Sequence, residues 1–556
     1  MQPIISRTDY RQEDAQLSRL CFALENDGET PQAFAGLSAQ IGRFDPEGAM
    51  ALVFRSDWGR EMTPVWQAAA GTEIAVTSGR ACKGWAPWAF IREKRGVWRF
   101  YALETFGNWR LKMTAEGTVV FSYDAQMLSG ELVPGERIDA GAALCAQDKS
   151  YGALCAAVCR HLQRTLPPSR MDASIVSFNH WWRYEDAEVT EEIVLENARA
   201  AKKMGIDLVV LDAGWFGEPG KNADWTKLRG DWQRVNPERF PHGLRWLSQQ
   251  IHDLGMKFGL WLEPEGMGEE SILRKAHPEW EAKRRDGLPQ SFLCLGAQGA
   301  REWLLGEISR LVEETHADYL KLDFNVDPGF GCDRADHGHQ SGMGQWAHMK
   351  GYTALLDELR DRYPKLIIEN CASGGMRLDL TMLAHTDVSF LSDPDESDHS
   401  LQAFLWLCFL PPGRLLHWAW SQTRAYADGI HAFPPLAHEK LAVHAGAAML
   451  HPFGFSRDLA GMTKAQRGEI AAMIARYRKE IAPIIREGHV CLLTAPPLRT
   501  NRTDDGRCVP FSGEGCVCEL RGECRAARLT YDARGARIQI IDRPSSKENN
   551  QEESSI

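Results

Sequence analysis

The sequence predicts an α/β protein: a closed (β/α)₈ TIM barrel carrying an N-terminal β-sandwich and a small C-terminal antiparallel β domain. Three observations predict it. Between about residues 172 and 475, short apolar stretches alternate with amphipathic stretches of helical period, as in parallel β/α units. Eight such apolar stretches can be counted, the number that closes a barrel. On both sides of this region lie short stretches of alternating polarity, separated by turn residues, which read as antiparallel sheet.

Taken in order, residues 1–168 form the expected sandwich. Strand candidates begin at Met50, Val97, Gly107 and Thr118, with Gly, Asp and Asn turns between them. A helix from Tyr151 ends before Pro167 and Pro168, a proline pair that reads as a linker. The barrel is assigned to 169–482. Its strands are expected in the segments beginning at Ser174, Asp207, Met256, Asp318, Lys365, Asp387, Leu415 and Ala447. Of the intervening helices, one should open with Thr190 as N-cap and stop at Gly205. Another should run from Gly299. Residues 483–545 again read as strands, and 546–556 as a disordered polar tail.

Composition narrows the function classes. The chain has 556 residues, too many for one ordinary domain, with 44% hydrophobic and 25% charged residues, as in soluble globular proteins. The net charge of −11 offers no basic footprint, so no nucleic-acid partner is expected. No run of eighteen apolar residues marks a membrane span. The first sixteen residues lack the apolar core of a signal peptide, so the expected location is cytoplasmic, with the fourteen cysteines mostly reduced. Neither cofactor nor metal is expected. The cysteine group Cys508, Cys516, Cys518 and Cys524 lacks paired CxxC knuckles. His337 and His339 read as polar loop residues, and His180, Glu263 and Glu265 come without the HxH pair of a metal barrel. Nineteen tryptophans are many for this length. Several, including Trp181, Trp182, Trp215, Trp261, Trp418 and Trp420, fall near strand ends, where some should fill core and others offer platforms for the C–H faces of sugars.

Chemistry concentrates at the same strand ends. Asp212, Glu263, Glu265, Lys321, Asp323, Asn325, Glu369, Asn370 and Asp393 all fall at or just beyond C-terminal ends, the rim where barrel active sites form. A retaining glycosidase needs two carboxyls about 5–5.5 Å apart, one attacking the anomeric carbon and one protonating the leaving oxygen. Asp323 ends the fourth strand and Asp393 the sixth, so they can converge across the mouth. Lys321 lies two residues before Asp323 and points to the same side of the strand. It can hold Asp323 ionised or bind a sugar hydroxyl.

The ordered segments LDAGWFG (from Leu211), KFGLWLEPE (from Lys257), YLKLDFN (from Tyr319), ENCASGGMR (from Glu369) and SDPDESD (from Ser392) resemble the α-galactosidase/melibiase group, glycoside hydrolase family 36, with family 27 a more distant relative. The resemblance implies a retaining exo-α-glycosidase acting on terminal α-linked sugars of a small glycoside or oligosaccharide, and a homo-oligomeric assembly. It implies that Asp323 is the nucleophile and Asp393 the acid/base. Trp261 would line the sugar subsite and Lys321 bind hydroxyls, while Cys371 to Gly375, with Gly374, would shape the floor. Trp182, Asp212, Trp215, Asn325 and Arg377 complete the expected substrate-binding set.

Departures bear on substrate choice. Galactose-specific members carry two adjacent aspartates where this chain has Asp212-Ala213. Losing one charge-assisted hydrogen bond removes roughly 1.5–3 kcal/mol. Where relatives have an Arg–Asn–Gln run followed by Leu–Asp, this chain has Leu288, Pro289, Gln290 and Cys294. The acid/base loop crowds Asp393, Asp395, Glu396 and Asp398, and Asp395 is a rival for the acid/base role. A related sugar (a β-L-arabinopyranoside or N-acetylgalactosaminide), transglycosylation and sugar binding without turnover stay open.

Overall fold

A computed structural model describes residues 4–12, 15–220, 224–393, 405–419, 421, 448–492, 516–532 and 535–542. Its N-terminal part contains a seven-stranded antiparallel sheet, in the order Ile4–Gln12, Ala15–Glu25, Arg137–Asp148, Trp98–Glu104, Gly84–Arg92, Met50–Asp57, Arg60–Ala68. A four-stranded sheet, Leu37–Arg43, Thr118–Tyr123, Trp109–Met113 and Glu73–Val76, packs against one face of it. The strand Met50–Asp57 explains why this sheet is apolar on both sides. Ala51 and Val53 face the smaller sheet, whereas Leu52 and Phe54 face the barrel side. There Phe54 meets Trp406 edge-on, and Trp88 and Phe90 meet Phe409. The sandwich is therefore cemented to the barrel by aromatic packing.

Eight parallel strands close the barrel in sequence order: Val176–Asn179, Leu208–Leu211, Lys257–Leu262, Tyr319–Leu322, Ile367–Asn370, Val388–Phe390, Leu415–Trp418 and Phe453–Phe455. Side chains inside and helices outside bury both faces, so a strand such as Leu208–Leu211 is a continuous apolar run. The helix Glu191–Met204 starts where expected, with the Thr190 side chain accepting from the Ile193 N–H. It stops at Gly205, whose φ of 87° only glycine adopts at no cost. The strands are shorter than the segments that announce them. Asp323 stands one residue past its strand and Asp393 three, where side chains are released from the ladder toward the mouth.

A four-stranded antiparallel sheet, His489–Leu492, Cys516–Arg521, Arg525–Asp532 and Gly535–Asp542, follows the barrel. The expected tail, 546–556, lies outside the described residues, as do Asp395, Trp420 and Cys508. Cys518 is buried in the core while Cys524 is exposed. Among the described residues no helix is long and apolar enough to cross a membrane.

Candidate active site

A cavity of about 410 Å³ opens at the C-terminal mouth of the barrel, between it and the sandwich. Of the expected site residues, Trp182, Asp212, Trp261, Lys321, Asp323, Asn325 and Asp393 line it.

The fourth strand places Lys321 at the centre. Its ammonium lies 2.9 Å from Asp212 Oδ2 and over the rings of Phe390 (4.9 Å) and Trp418 (4.7 Å). Burial works against the charge, but Asp212, Glu369 and Asp323 together hold its pKa well above the ordinary lysine value. Lys321 is therefore a fixed cation. Asp212 also accepts from Asn179 Nδ2 at 2.6 Å. Its backbone N–H donates to His180 Nδ1, and burial pushes that imidazole down to about 4, leaving it neutral.

Among the described residues, four N–H groups donate to Asp323. The N–H groups of Phe324 (2.8 Å) and Ser373 (3.0 Å) donate to Oδ1. Asn325 Nδ2 (2.8 Å) and Trp261 Nε1 (3.3 Å) donate to Oδ2. Burial alone would raise its pKa; Lys321 and these donors outweigh burial and hold it below the ordinary aspartate value. Asn325 is itself fixed, donating to Glu263 Oε2 and accepting from the Ser373 hydroxyl.

Asp393 lies in the opposite electrostatic condition. Burial pushes its carboxyl up to about 6, and the charge on Asp323 adds to this, against the pull of Lys321. Two tryptophans hold it. Trp58 Nε1 donates to Asp393 Oδ2 at 2.8 Å, and Trp182 Nε1 donates to its backbone carbonyl at 2.8 Å. Trp58 occupies the two-residue turn between Met50–Asp57 and Arg60–Ala68, so the sandwich reaches across the barrel mouth. Gly374, at φ 78°, passes so close that a Cβ there would lie 2.7 Å from Glu61 Oε1 and 3.0 Å from the Asp393 nitrogen.

Four expected contacts are placed elsewhere. Trp215 is wholly buried behind the wall, its Nε1 donating to the Trp261 carbonyl at 3.0 Å, so it supports the platform instead of forming it. Arg377 is buried, bidentate to Glu265 at 2.9 and 2.8 Å, between the rings of Phe324 and Tyr352. Cys371 is buried behind Asp323, and burial pushes its thiol well up, which fits a packed neutral residue. Gly374 acts through the close approach just described. Leu288 is exposed on a hairpin, away from the cavity lining.

Other lining residues were not predicted as site residues. Trp58, Trp225 and Arg229 join the wall in this way, whereas Ser373 comes from the expected floor turn, Ala213 from the Asp212-Ala213 departure and Trp181 from the strand-end tryptophans. Arg229 brings a guanidinium, paired with Glu263 at 2.6 Å, from a loop that carries no motif. His337 and His339 lie in a loop, as expected, but both are buried, beside Cys294 and Cys332.

One family profile, Melibiase, matches residues 161–488. Among curated proteins, α-galactosidase AgaA of Geobacillus stearothermophilus is 28% identical over 334 residues, 57% of this chain and 42% of that protein. α-Galactosidase 2 of Pediococcus pentosaceus is 35% identical over 242 residues, 41% of this chain and 32% of its own length. The chain thus matches less than half the length of these relatives. The crystal structure of the GH36 α-galactosidase AgaA superposes with a TM-score of 0.77 at 20% identity, covering 93% of this chain and 73% of that one. A variant of AgaA in complex with raffinose gives 0.79, covering 98% and 79%. At that identity the superpositions establish a shared fold.

Proposed function

The chain belongs to the melibiase family, and from that premise we propose that it is a retaining exo-α-glycosidase with Asp323 as nucleophile and Asp393 as acid/base. One observation carries the reading: a single tryptophan-lined cavity presents one carboxyl whose pKa is held below the ordinary aspartate value and another whose pKa is pushed up to about 6. Pairs of acids pushed apart in this way divide the nucleophile and acid roles between them.

The terminal sugar enters non-reducing end first and lays a C–H face on Trp261 and Trp182. Asp212, Lys321 and Arg229 take its hydroxyls. An Asp323 oxygen attacks the anomeric carbon from one side as the bond to the leaving oxygen breaks and Asp393 gives that oxygen its proton. The glycosyl ester is then opened by water, whose proton returns to Asp393, and the anomeric configuration is retained overall. Nothing in these steps calls for a cofactor.

The relatives named above are α-galactosidases, and an α-galactoside is the first substrate class to try. Ala213 favours a second reading. Its methyl group lines the cavity beside Asp212, whose carboxylate is already held by Lys321 and Asn179. A sugar lacking or altering one galactose hydroxyl suits that wall. We place the reaction in the cytoplasm, where the neighbouring core thiols Cys155, Cys159 and Cys408 stay reduced, and expect a homo-oligomer from the family resemblance.

Asp323→Ala tests the assignment. Turnover of an aryl α-glycoside should fall by about a thousandfold or more. Added azide, filling the vacated space, should restore part of it and leave a glycosyl azide of inverted configuration. Full activity without azide refutes the reading.

A further inference from the structure

Away from the sugar cavity, four side chains with metal-binding atoms converge: Cys294, Cys332, His337 and His339, with one ligand atom from each lying within 4.8 Å of all the others. Cys294 follows the hairpin Glu281–Lys283/Pro289–Leu293 in the loop after the third barrel strand. The other three come from the loop after the fourth strand, which begins at Asp323. We propose that these four residues form a structural Zn²⁺ site that clips the loop following the nucleophile to the neighbouring hairpin.

Geometry supports it first. Tetrahedral zinc takes sulfur at about 2.3 Å and nitrogen at about 2.0–2.1 Å, which separates S and N ligands by about 3.6 Å. Cys294 Sγ lies 3.3 Å from His339 Nε2, and Cys332 Sγ lies 3.5 Å from His337 Nδ1. The tautomers agree as well. His337 Nε2 lies 2.6 Å from the Glu279 carbonyl and His339 Nδ1 lies 3.0 Å from the Gln340 carbonyl. A carbonyl can only accept, so each of those nitrogens carries the proton, and in the neutral ring the other nitrogen turns a bare lone pair toward the cluster. Zinc-bound histidines are oriented in the same way.

The donor set selects the ion. Two thiolates and two imidazoles, four ligands with no open position, make a closed structural zinc site and not a catalytic one. Binding would release two thiol protons to solvent, and the divalent charge would cancel the two thiolates. The site is then neutral, which fits its surroundings: Cys294 and Cys332 pack with Ala282, Phe292, Phe324, Ala372 and Met376. Gly296 leaves room for the His339 ring, since a Cβ there would lie 2.5 Å from its Cδ2. Phe324 adjoins Asp323, so the clip bears on the loop that carries Asn325.

The test is metal content of the whole chain, purified without chelator and dialysed with reductant against excess Zn²⁺, then against metal-free buffer. About one zinc per chain is expected, and Co²⁺ in its place should give tetrahedral ligand-field bands with a thiolate charge-transfer band. Cys332→Ser and His339→Gln should each lose the metal while circular dichroism stays that of the parent, and a strong chelator should lower the parent's Tm but not theirs. If the variants do not fold, the parent's stoichiometry and cobalt spectrum decide alone. Less than about a tenth of an equivalent in the parent, zinc retained by folded variants, or a Cys294–Cys332 disulfide in chain prepared without reductant each overturns the proposal.

Discussion

Replacing Trp58 by phenylalanine removes one hydrogen bond from the proposed acid/base and leaves a ring in place. In the parent, the indole N–H donates to Asp393 Oδ2 at 2.8 Å. Such a bond favours the ionised carboxylate, so it lowers the pKa, and its loss must raise it. Hydrogen bonds to charged groups are worth about 1.5–3 kcal/mol. Asp393 is half-buried and Trp58 sits at the lip, 38% exposed, so water replaces part of the bond. Half that range, about 0.7–1.5 kcal/mol, corresponds to roughly 0.5–1 pH unit. The assay is kcat/KM against pH on an unactivated α-linked disaccharide, whose poor leaving group requires the proton. The parent should lose activity as pH rises through about 6, where Asp393 ionises. W58F should keep its proton longer and move that limb upward by the stated amount. An aryl glycoside with an acidic leaving group should show little such limb in either protein. A limb that stays in place or moves downward refutes the assignment of Asp393 and its partner.

Ala213→Asp should raise the preference for an α-galactoside over the matching β-L-arabinopyranoside by roughly tenfold to a hundredfold, the equivalent of one charge-assisted hydrogen bond; an unchanged ratio of kcat/KM values counts against Ala213 as a specificity residue. Arg377→Ala strands Glu265 with His348 alone and should cost about 3–5 kcal/mol in chemical denaturation. Burial would raise the Glu265 pKa, but Arg377 and His348 hold it below its ordinary value. That contribution is therefore present above the unfolded value near about 4.3 and is lost as pH falls through the folded one. The gap in stability between parent and R377A should narrow in acid, and a gap constant with pH contradicts the pairing. Gly374→Ala drives a Cβ toward Glu61 and the Asp393 nitrogen; a displacement near 1 Å costs about a hundredfold in rate. An unaltered kcat in a folded G374A protein would show that the turn does not position Asp393.

Much of this was legible in the sequence for one reason: parallel strands buried on both faces become apolar runs, and polar residues just beyond them have only the mouth to occupy. Leu208–Leu211 followed by Asp212, and Tyr319–Leu322 followed by Asp323, are such cases. The same rule misplaced Trp215, and the family resemblance misplaced Arg377. Both follow a strand at the right distance, but whether a loop side chain faces the cavity or the layer behind it depends on partners far along the chain. For Arg377 that partner is Glu265, 112 residues earlier. Trp58 was out of reach for the same reason. The turn at Trp58-Gly59 is readable, but its meeting with Asp393, 335 residues away, follows from how sandwich and barrel pack. The cysteine–histidine cluster escaped because Cys294 lies 38 positions before Cys332 and on a different loop, outside any finger-like spacing.

The proposed division of roles between the two aspartates rests on how donors are shared around one cation. Lys321 stands among Asp212, Asp323, Glu369 and Asp393, and a single positive charge cannot sustain four carboxylates in a buried mouth. Its direct partner is Asp212. Glu369 is the acid of this set pushed furthest: burial takes its carboxyl up to about 7, with the Tyr319 hydroxyl at one oxygen and no partner for the other among the described residues. Between the remaining two, Asp323 receives four N–H donors, whereas the described contacts give the Asp393 carboxyl only the Trp58 indole. Lys321 pulls both carboxyls down; the further donors at Asp323 add to that pull and take it below the ordinary aspartate value, while Asp393 stays raised at about 6. It follows that the donors fixing Asp323, above all Asn325 and the Ser373 backbone, belong to the proposed nucleophile as much as its own carboxyl does.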